Sequence, residues 1–254
     1  MPLLAVTGLR KHFGETRAVD GVDFSVDEER LVSLVGSNGA GKTTLVNLIT
    51  GLLQPDGGQI VFQGRDVTSL PVYDRIKAGI TRSFQIVNLF DALSVLDNVR
   101  LAIFSRENKI GRAMSLAERD EGAREEALGV IEEFGLTERW NVLAGGLAQG
   151  ERKLLDVAVA YALRPKLILL DEPTSGVGTR EKGRIMGRIE SVVRSRGLSA
   201  MIVEHDMDVV FKYSDKIVVM HEGRVLAEGA PDQIVRDERV ATMLLGRRER
   251  GPGG

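Results

Sequence analysis

The segment that most constrains the fold is a glycine-rich stretch between a predicted strand and a predicted helix. Residues 36–43 read Gly-Ser-Asn-Gly-Ala-Gly-Lys-Thr and fit the pattern G-x-x-x-x-G-K-[ST]. The mostly apolar residues 31–35 before it predict a strand buried on both faces. Apolar side chains three and four positions apart from Leu45 to Leu52 predict a helix after it, with Gly51 as its cap. This order of strand, glycine loop and helix predicts an α/β fold with a phosphate-binding loop.

We call residues 36–43 the phosphate loop. Two of its side chains are expected to contact a nucleotide or its metal ion. Lys42 is expected to reach the β- and γ-phosphates, and the Thr43 hydroxyl is expected to bind Mg²⁺. Backbone N–H groups of the loop and of the first helical turn complete the predicted phosphate site. The remaining predicted nucleotide-binding residues are Gly36, Ser37, Asn38, Gly39, Ala40, Gly41 and Thr44.

A second apolar strand pattern ends in two carboxylates. Residues 167–170 read Leu-Ile-Leu-Leu, and Asp171, Glu172 and Pro173 follow. Asp171 is expected to hold Mg²⁺, directly or through water. Glu172 is expected to act as the general base that polarises the attacking water. Together with the phosphate loop, these carboxylates predict the hydrolysis of a nucleoside triphosphate.

The composition argues against several other classes of protein. The 254-residue chain carries 34 basic and 36 acidic residues, so its net charge of −2 gives no reason to expect nucleic acid as a partner. The absence of cysteine excludes thiol catalysis and cysteine-ligated metals. No apolar stretch approaches the roughly 18–20 residues that span a bilayer, and the N-terminus does not resemble a signal peptide. We therefore expect a soluble, cytoplasmic protein.

These motifs resemble those of the nucleotide-binding domain of ABC transporters, and the resemblance covers essentially the whole chain. Residues 147–151, Leu-Ala-Gln-Gly-Glu, match the family's signature segment, usually LSGGQ, just before a predicted helix. The resemblance implies that Gln85 binds Mg²⁺ and links the nucleotide to the membrane subunit, that His205 is the switch histidine, and that Phe13 stacks on adenine. The signature residues implied to contact ATP are Ala148, Gln149, Gly150 and Glu151.

The resemblance also implies a fold and a division into subdomains. The expected architecture is a P-loop ATPase core with an N-terminal antiparallel β subdomain and an inserted α-helical subdomain. The core with its β subdomain is expected over residues 1–85 and 164–246, the helical subdomain over about 86–163, and a flexible tail over 247–254. Helix patterns within these segments cover residues 117–134, 151–163, 179–196 and 232–245.

In this family two subunits pack head to tail, and the phosphate loop of one and the signature segment of the other clamp each ATP. The resemblance therefore implies ATP and Mg²⁺ as ligands and a second ATPase subunit, either a copy of this chain or a close paralogue. It also implies transmembrane permease subunits, indirectly a solute-binding protein, and a peripheral position on the inner face of the cell membrane. Three residues depart from the family pattern: Ala148 replaces serine, Glu151 replaces glutamine, and Gly178 stands where many relatives carry aspartate.

Within the family, residues 95–99 and 203–207 resemble segments of the ATP-binding subunits of branched-chain amino acid importers. The predicted function is ATP hydrolysis that powers the import of branched-chain amino acids or a related small solute. Importers of amides, urea or aromatic acids remain open, as does the ATPase subunit of a lipid or lipopolysaccharide exporter. A soluble ABC ATPase acting on DNA or RNA is disfavoured because the chain has one cassette and no heptad run. A GTPase is disfavoured because residues 108–111 lack the aspartate of N-K-x-D.

Overall fold

The computed structural model describes residues 1–83, 89–109 and 120–245, and the chain separates into two compact units. The first unit comprises Met1–Val72 and Met201–Gly254, and the second comprises Tyr73–Ala200. Gln85 and the tail at 247–254 lie outside the described residues, and the predicted division into core and helical subdomain stays a prediction. Within the described residues, no helix is both long enough and apolar enough to cross a membrane.

An antiparallel sheet forms much of the first unit, which confirms the N-terminal antiparallel β subdomain that the resemblance implies. Its strands are β1 (Leu4–Phe13), β2 (Thr16–Val26), β4 (Gly57–Phe62) and β5 (Arg65–Asp66), and their order across the sheet is β2-β1-β4-β5. A tight turn joins β1 to β2, so that Phe13 pairs with Thr16. Ile60 and Phe62 are both buried because alternate side chains of a strand point to the same face.

A second sheet of the first unit carries the phosphate loop. Its strands are β3 (Leu31–Gly36), β8 (Ser199–Val203, which crosses the boundary between the units), β9 (Lys216–His221) and β10 (Arg224–Gly229). Their order is β10-β9-β3-β8, with β3 parallel to β9 and β9 antiparallel to β10. All residues of β3 are buried, which confirms the prediction of a strand covered on both faces.

The helices of the first unit include α1, which follows the phosphate loop. They are α1 (Lys42–Thr50), α7 (Met207–Tyr213), α8 (Pro231–Arg236) and α9 (Glu238–Leu245). Helix α1 ends at Gly51, whose φ of 80° confirms the predicted left-handed cap. Apolar side chains of β3, β9 and the three later helices form one buried cluster, made of Val35, Val210, Ile217, Val219, Ile234 and Val240.

The prediction of one helix over residues 232–245 is wrong, because the chain forms α8 and α9 with a break at Asp237. Asp237 has a ψ of 110° and is not helical, and its carboxylate accepts a hydrogen bond from the N–H of Arg239 at 2.9 Å. A side-chain hydrogen bond from Arg239 also lowers the pKa of Asp237 to about 2, so the residue caps α9 as a carboxylate. This cap interrupts the helical sequence pattern that otherwise continues from α8 into α9.

The second unit combines two parallel strands with a group of helices. Its strands are β6 (Ile80–Ser83) and β7 (Leu167–Asp171). Its helices are α2 (Val72–Ala78, whose first residue belongs to the first unit), α3 (Val95–Arg106), α4 (Glu121–Glu133), α5 (Gln149–Ala162) and α6 (Thr179–Ser195). Helices α3, α4 and α5 pack against one another, and α5 also contacts α6.

The predicted helices of the second unit are present with small shifts at their ends. The pattern at 117–134 corresponds to α4 among the described residues, and the pattern at 179–196 corresponds to α6. The helix expected over 151–163 begins two residues earlier, at Gln149, because its N-cap is Ala148. Residues of the signature segment therefore form the first turn of α5.

Candidate functional site

The phosphate loop follows β3 in the first unit as a tight turn. Ala40 is buried and its N–H donates to the Ser37 carbonyl oxygen at 3.1 Å, whereas residues 37–39 are exposed. Gly41 has a φ of 98°, and a Cβ at this position would lie 2.1 Å from the Ala18 carbonyl oxygen. The backbone conformation and the close approach of β2 therefore both require glycine here.

Gly41→Ala is expected to lower the free energy of unfolding by about 1–3 kcal/mol, because the added methyl group meets the backbone and the φ is unfavourable for alanine. Denaturant unfolding measures the change. Gly129→Ala is the matched control, since nothing lies within 4 Å of a Cβ at this helical position. The control is expected to gain about 0.5–1 kcal/mol. A Gly41→Ala protein as stable as the wild type contradicts this description of the loop.

The Lys42 ammonium group folds back onto the phosphate loop. Its Nζ donates to the Gly36 carbonyl oxygen at 2.8 Å and to the Ser37 carbonyl oxygen at 3.0 Å, and only 7% of the residue is exposed. These contacts hold a positive charge beside the exposed residues of the loop. A cation in this position attracts phosphate oxygens and donates charge-assisted hydrogen bonds to them.

Helix α1 begins at Lys42 without a side-chain cap of its own. Its N-cap is Gly41, which has no side chain, and its first turn carries no acidic residue. The positive end of the helix dipole is therefore not compensated by carboxylates of this turn, an arrangement typical of anion sites. Thr43 lies exposed in the same turn and offers a hydroxyl oxygen, a ligand type that Mg²⁺ accepts.

Phe13 and His205 are exposed residues of the first unit. Phe13 ends β1 with 50% of its surface exposed, and Lys11 Nζ lies 5.8 Å from its ring centroid. His205 comes after β8, and the N–H of its neighbour Glu204 donates to the Leu34 carbonyl oxygen at 3.4 Å. Because Leu34 lies two residues before the phosphate loop, the segment that carries His205 lies beside the strand leading into that loop.

The two carboxylates at the end of β7 have different environments. Asp171 is the last residue of the strand, is buried, and forms a salt bridge with Arg82 of β6. Glu172 is partly buried and has a φ of 46°, a left-handed conformation that is uncommon for residues other than glycine. Backbone conformations of this kind cluster at active sites and switch regions. The backbone of Glu172 therefore departs from the extended conformation of β7.

The signature segment forms the start of α5 in the second unit. Ala148 is the N-cap, and its methyl group cannot accept a hydrogen bond. Glu151 performs part of the capping, because its Oε2 accepts the Ala148 N–H at 3.0 Å. Gln149 is exposed and Gly150 is buried within the first turn. Two departures from the family pattern, Ala148 and Glu151, are thus connected by one hydrogen bond.

Arg139 forms an ion pair with Glu151. Its Nε donates to Glu151 Oε1 at 2.9 Å. Burial raises the pKa of Glu151, but the hydrogen bonds from Arg139 and from the Ala148 N–H outweigh burial, and the resulting pKa is lowered from its ordinary value. Glu151 is therefore a carboxylate at neutral pH with a cation beside it. The stabilisation from this pair is present above the ordinary carboxylate pKa and is lost as the pH falls through the lowered value.

The structure groups the predicted residues within each unit. In the first unit, the segment that carries His205 lies beside the strand that leads into the phosphate loop. In the second unit, Lys153 of α5 donates to the Glu172 carbonyl oxygen at 3.1 Å and so connects the signature helix to this carboxylate residue. Gln85 lies outside the described residues, and its role stays a prediction. Among the described residues, no group of three or more His, Asp or Glu residues is arranged to hold a metal ion by itself.

Among the described residues, hydrogen bonds or salt bridges connect basic residues outside any motif to the carboxylates or backbone of predicted site residues: Arg82, Arg139 and Lys153. Each lies at least twelve positions from its partner in the sequence. The acid at position 151, where the family usually has glutamine, could have prompted a search for a basic partner such as Arg139. Nothing in the sequence singles out Arg82 or Lys153.

Comparison with known proteins places these features in a family. The family model described as ABC transporter matches residues 19–175, which include the phosphate loop, the signature segment and Glu172. The high-affinity branched-chain amino acid transport ATP-binding protein BraF of Pseudomonas aeruginosa is 36% identical over 250 residues, with 96% of this chain and 98% of BraF covered. LivG of Escherichia coli, which has the same description, is 34% identical over 251 residues, with 96% and 98% covered.

Solved structures resemble the chain over most of its length. An ATP-binding cassette of an ABC transporter in its ADP conformation has a TM-score of 0.85 at 30% identity, with 97% of this chain and 100% of the other covered. A dimeric ATP-binding cassette in a post-hydrolysis state, bound to ADP and Pi, has a TM-score of 0.76 at 26% identity, with 90% and 98% covered. The chain therefore belongs to the ABC transporter family, as an ATP-binding cassette that hydrolyses ATP.

Proposed function

We propose that this chain is the ATP-hydrolysing subunit of an importer for branched-chain amino acids or a related small solute. The observation that carries the proposal is the phosphate loop, where Lys42 folds onto the backbone turn and α1 begins without an acidic side chain. The substrate class rests on the similarity to BraF and LivG, whose names refer to branched-chain amino acid transport. A cassette of this kind does not select the transported solute, so the substrate class comes from the relatives.

ATP is proposed to bind to the first unit. Lys42 contacts the β- and γ-phosphates, and backbone N–H groups of the loop and of Thr44 surround them. Phe13 stacks on the adenine ring, a role supported by its exposed position at the end of β1. A ring packed in the core could not accept a base in this way, since stacking needs an open aromatic face.

The oxygen donors proposed for Mg²⁺ fit the preferences of that ion. They are the exposed Thr43 hydroxyl, the buried Asp171 carboxylate and the Gln85 amide. Mg²⁺ takes oxygen ligands and is usually held by one or two carboxylates in addition to phosphates and water. When bound, the ion neutralises negative charge on the phosphates.

Hydrolysis is proposed to depend on Glu172 and His205. Glu172 accepts a proton from the water that attacks the γ-phosphorus, the bond from this phosphorus to the bridging oxygen breaks, and ADP and inorganic phosphate leave. His205 contacts the γ-phosphate, and this contact is lost once hydrolysis has released that phosphate. The position of Glu172 directly after Asp171, at the end of the buried strand β7, supports this assignment.

Two copies of the chain, or this chain and a close paralogue, are proposed to pack head to tail around ATP. The N-terminus of α5 in one copy then faces the phosphates bound by the other, where its dipole and N–H groups stabilise negative charge. Ala148, Gln149, Gly150 and Glu151 are the proposed contacts. The likeness to a dimeric cassette bound to ADP and Pi supports this arrangement. Gly178 contributes no side chain to the interface.

Arg139→Gln is expected to weaken ATP-dependent dimerisation by about 2- to 5-fold, because the Glu151 carboxylate then faces the phosphate without its cation. Sedimentation with saturating ATP, with every variant made in the Glu172→Gln background so that hydrolysis does not open the dimer, measures the dimer dissociation constant. Adding Glu151→Gln to Arg139→Gln is expected to restore the wild-type value, since the repelling charge is gone. A double variant as weak as Arg139→Gln alone means that Arg139 acts by another route.

Permease subunits in the membrane are the proposed partners that hydrolysis drives, and a solute-binding protein takes part indirectly. The proposed location is the inner face of the cell membrane, where ATP is supplied. Nucleic acid is not a proposed partner, because the chain has a net charge of −2.

Uptake of radiolabelled leucine, isoleucine and valine tests the proposed function. A strain lacking the gene is compared with the same strain carrying the wild type or Glu172→Gln. Uptake of at least one of these amino acids is expected to be lost on deletion, restored by the wild type and not restored by Glu172→Gln. Unchanged uptake of all three would contradict the substrate class. Loss of urea or amide uptake, or of lipid export, would then identify the alternative.

A further inference from the structure

Lys153 connects the second turn of the signature helix to the backbone of the proposed general base. The residue is 6% exposed. Its Nζ donates to the Glu172 carbonyl oxygen at 3.1 Å and to Ser175 Oγ at 3.0 Å. Burying an ammonium group is costly unless it is hydrogen-bonded. These two acceptors therefore explain how a lysine is tolerated in the interior.

The segment that follows the general base is a turn held at both of its ends. The Glu172 carbonyl oxygen accepts the Ser175 N–H at 3.0 Å as well as the Lys153 ammonium group. Glu172 has a φ of 46° and precedes Pro173, which restricts its backbone further. An unfavourable conformation of this kind persists only where the surroundings hold it. Lys153 bonds to both terminal residues of this turn.

Close packing joins the first turn of the same helix to the same segment. A Cβ at Gly176 would lie 2.2 Å from Gln149 Nε2, and a Cβ at Gly150 would lie 2.0 Å from Glu181 Oε1. The first turn of α5 is therefore in direct contact with the residues that follow the general base. Lys153 adds hydrogen bonds to this packed contact.

We propose that Lys153 is a positioning residue that holds the left-handed backbone of Glu172 and couples the signature helix to the general base of the same chain. The proposal rests on the proposed function. In the head-to-tail dimer, α5 faces the ATP held by the second copy, whereas Glu172 acts on the ATP held by its own copy. Lys153 therefore connects the two ATP sites, and ATP bound at one site favours the active geometry at the other.

Lys153→Met tests the proposal, because methionine keeps the length and packing of the side chain and removes the donor. The kcat of ATP hydrolysis is expected to fall about 10-fold with KM changed less than about 2-fold, since the base is displaced and the phosphate contacts remain. The Hill coefficient for ATP is expected to fall toward 1. Lys153→Arg keeps a cation and is expected to recover part of the lost kcat and part of the lost Hill coefficient. Lys212→Met, at an exposed lysine of α7, is the matched control with unchanged kcat.

Combining Lys153→Met with Glu172→Gln separates positioning from general damage. If Lys153 acts through Glu172, the double variant keeps the residual rate of Glu172→Gln. A further fall of about 10-fold, or a wild-type kcat and Hill coefficient in Lys153→Met, would overturn the proposal. If Lys153→Met fails to fold, Ser175→Ala takes its place, because it removes one of the two acceptors of Lys153. The same changes in kcat and Hill coefficient then support or overturn the proposal. Wild-type hydrolysis by Glu172→Gln would instead contradict the proposed function, whatever Lys153 does.

Discussion

Glu172→Gln is expected to lower the rate of ATP hydrolysis by about 10²–10⁴-fold and to retain ATP binding. The amide has the shape of the carboxylate but cannot take a proton from the attacking water, whereas the phosphate contacts of Lys42 remain. Phosphate release at saturating ATP measures the rate, and a nucleotide titration measures the affinity. The variant is also expected to accumulate as an ATP-bound dimer, because the step that opens the dimer is blocked.

The matched control for this experiment is Glu121→Gln, at an exposed position in the first turn of α4. It removes one carboxylate of the same kind and is expected to keep the wild-type rate. Wild-type hydrolysis by Glu172→Gln would mean that another group activates the water.

Lys42→Ala is expected to weaken ATP binding by about 10- to 100-fold, since hydrogen bonds to charged groups contribute about 1.5–3 kcal/mol and this cation loses them. Isothermal titration with ATP and with ADP measures the effect. The loss is expected to be larger for ATP, because Lys42 is proposed to contact both the β- and the γ-phosphate.

Lys212→Ala, on the exposed side of α7, is the matched control for Lys42→Ala and is expected to bind ATP like the wild type. Lys42 also donates to two carbonyl oxygens of the loop, so the thermal midpoint of each variant is recorded beside its affinity. Unchanged affinity in a folded Lys42→Ala protein would refute the assignment of residues 36–43 as a phosphate loop.

The parts of the fold that the sequence predicts well are those set by local physics. The phosphate loop needs a buried strand before it, an amphipathic helix after it and glycine at Gly41, and all three are readable from consecutive residues. The left-handed cap at Gly51 is local in the same sense. By contrast, the break at Asp237 depends on a side chain capping α9, and this capping interrupts a helical periodicity that looks continuous.

The contacts that support the candidate site could not be predicted because they join distant residues. Arg139 and Glu151 are twelve positions apart and meet only because 3₁₀ turns at Thr137–Arg139 and Ala144–Gly146 fold the chain back before α5. Lys153 reaches Glu172 across nineteen positions. No periodicity or motif encodes such a pairing. The residues around Arg139 and Lys153 look the same in sequence whichever distant residue these side chains contact.

The claim that ATP joins two cassettes is tested most directly by the mass of Glu172→Gln in solution, measured by light scattering with and without ATP. The expected result is the mass of one chain without nucleotide and twice that mass with ATP and Mg²⁺, or a one-to-one complex if the partner is a paralogue. A mass that stays at one chain with ATP, both alone and with the paralogue present, would contradict the clamp. A dimer that forms equally well without nucleotide would contradict it too.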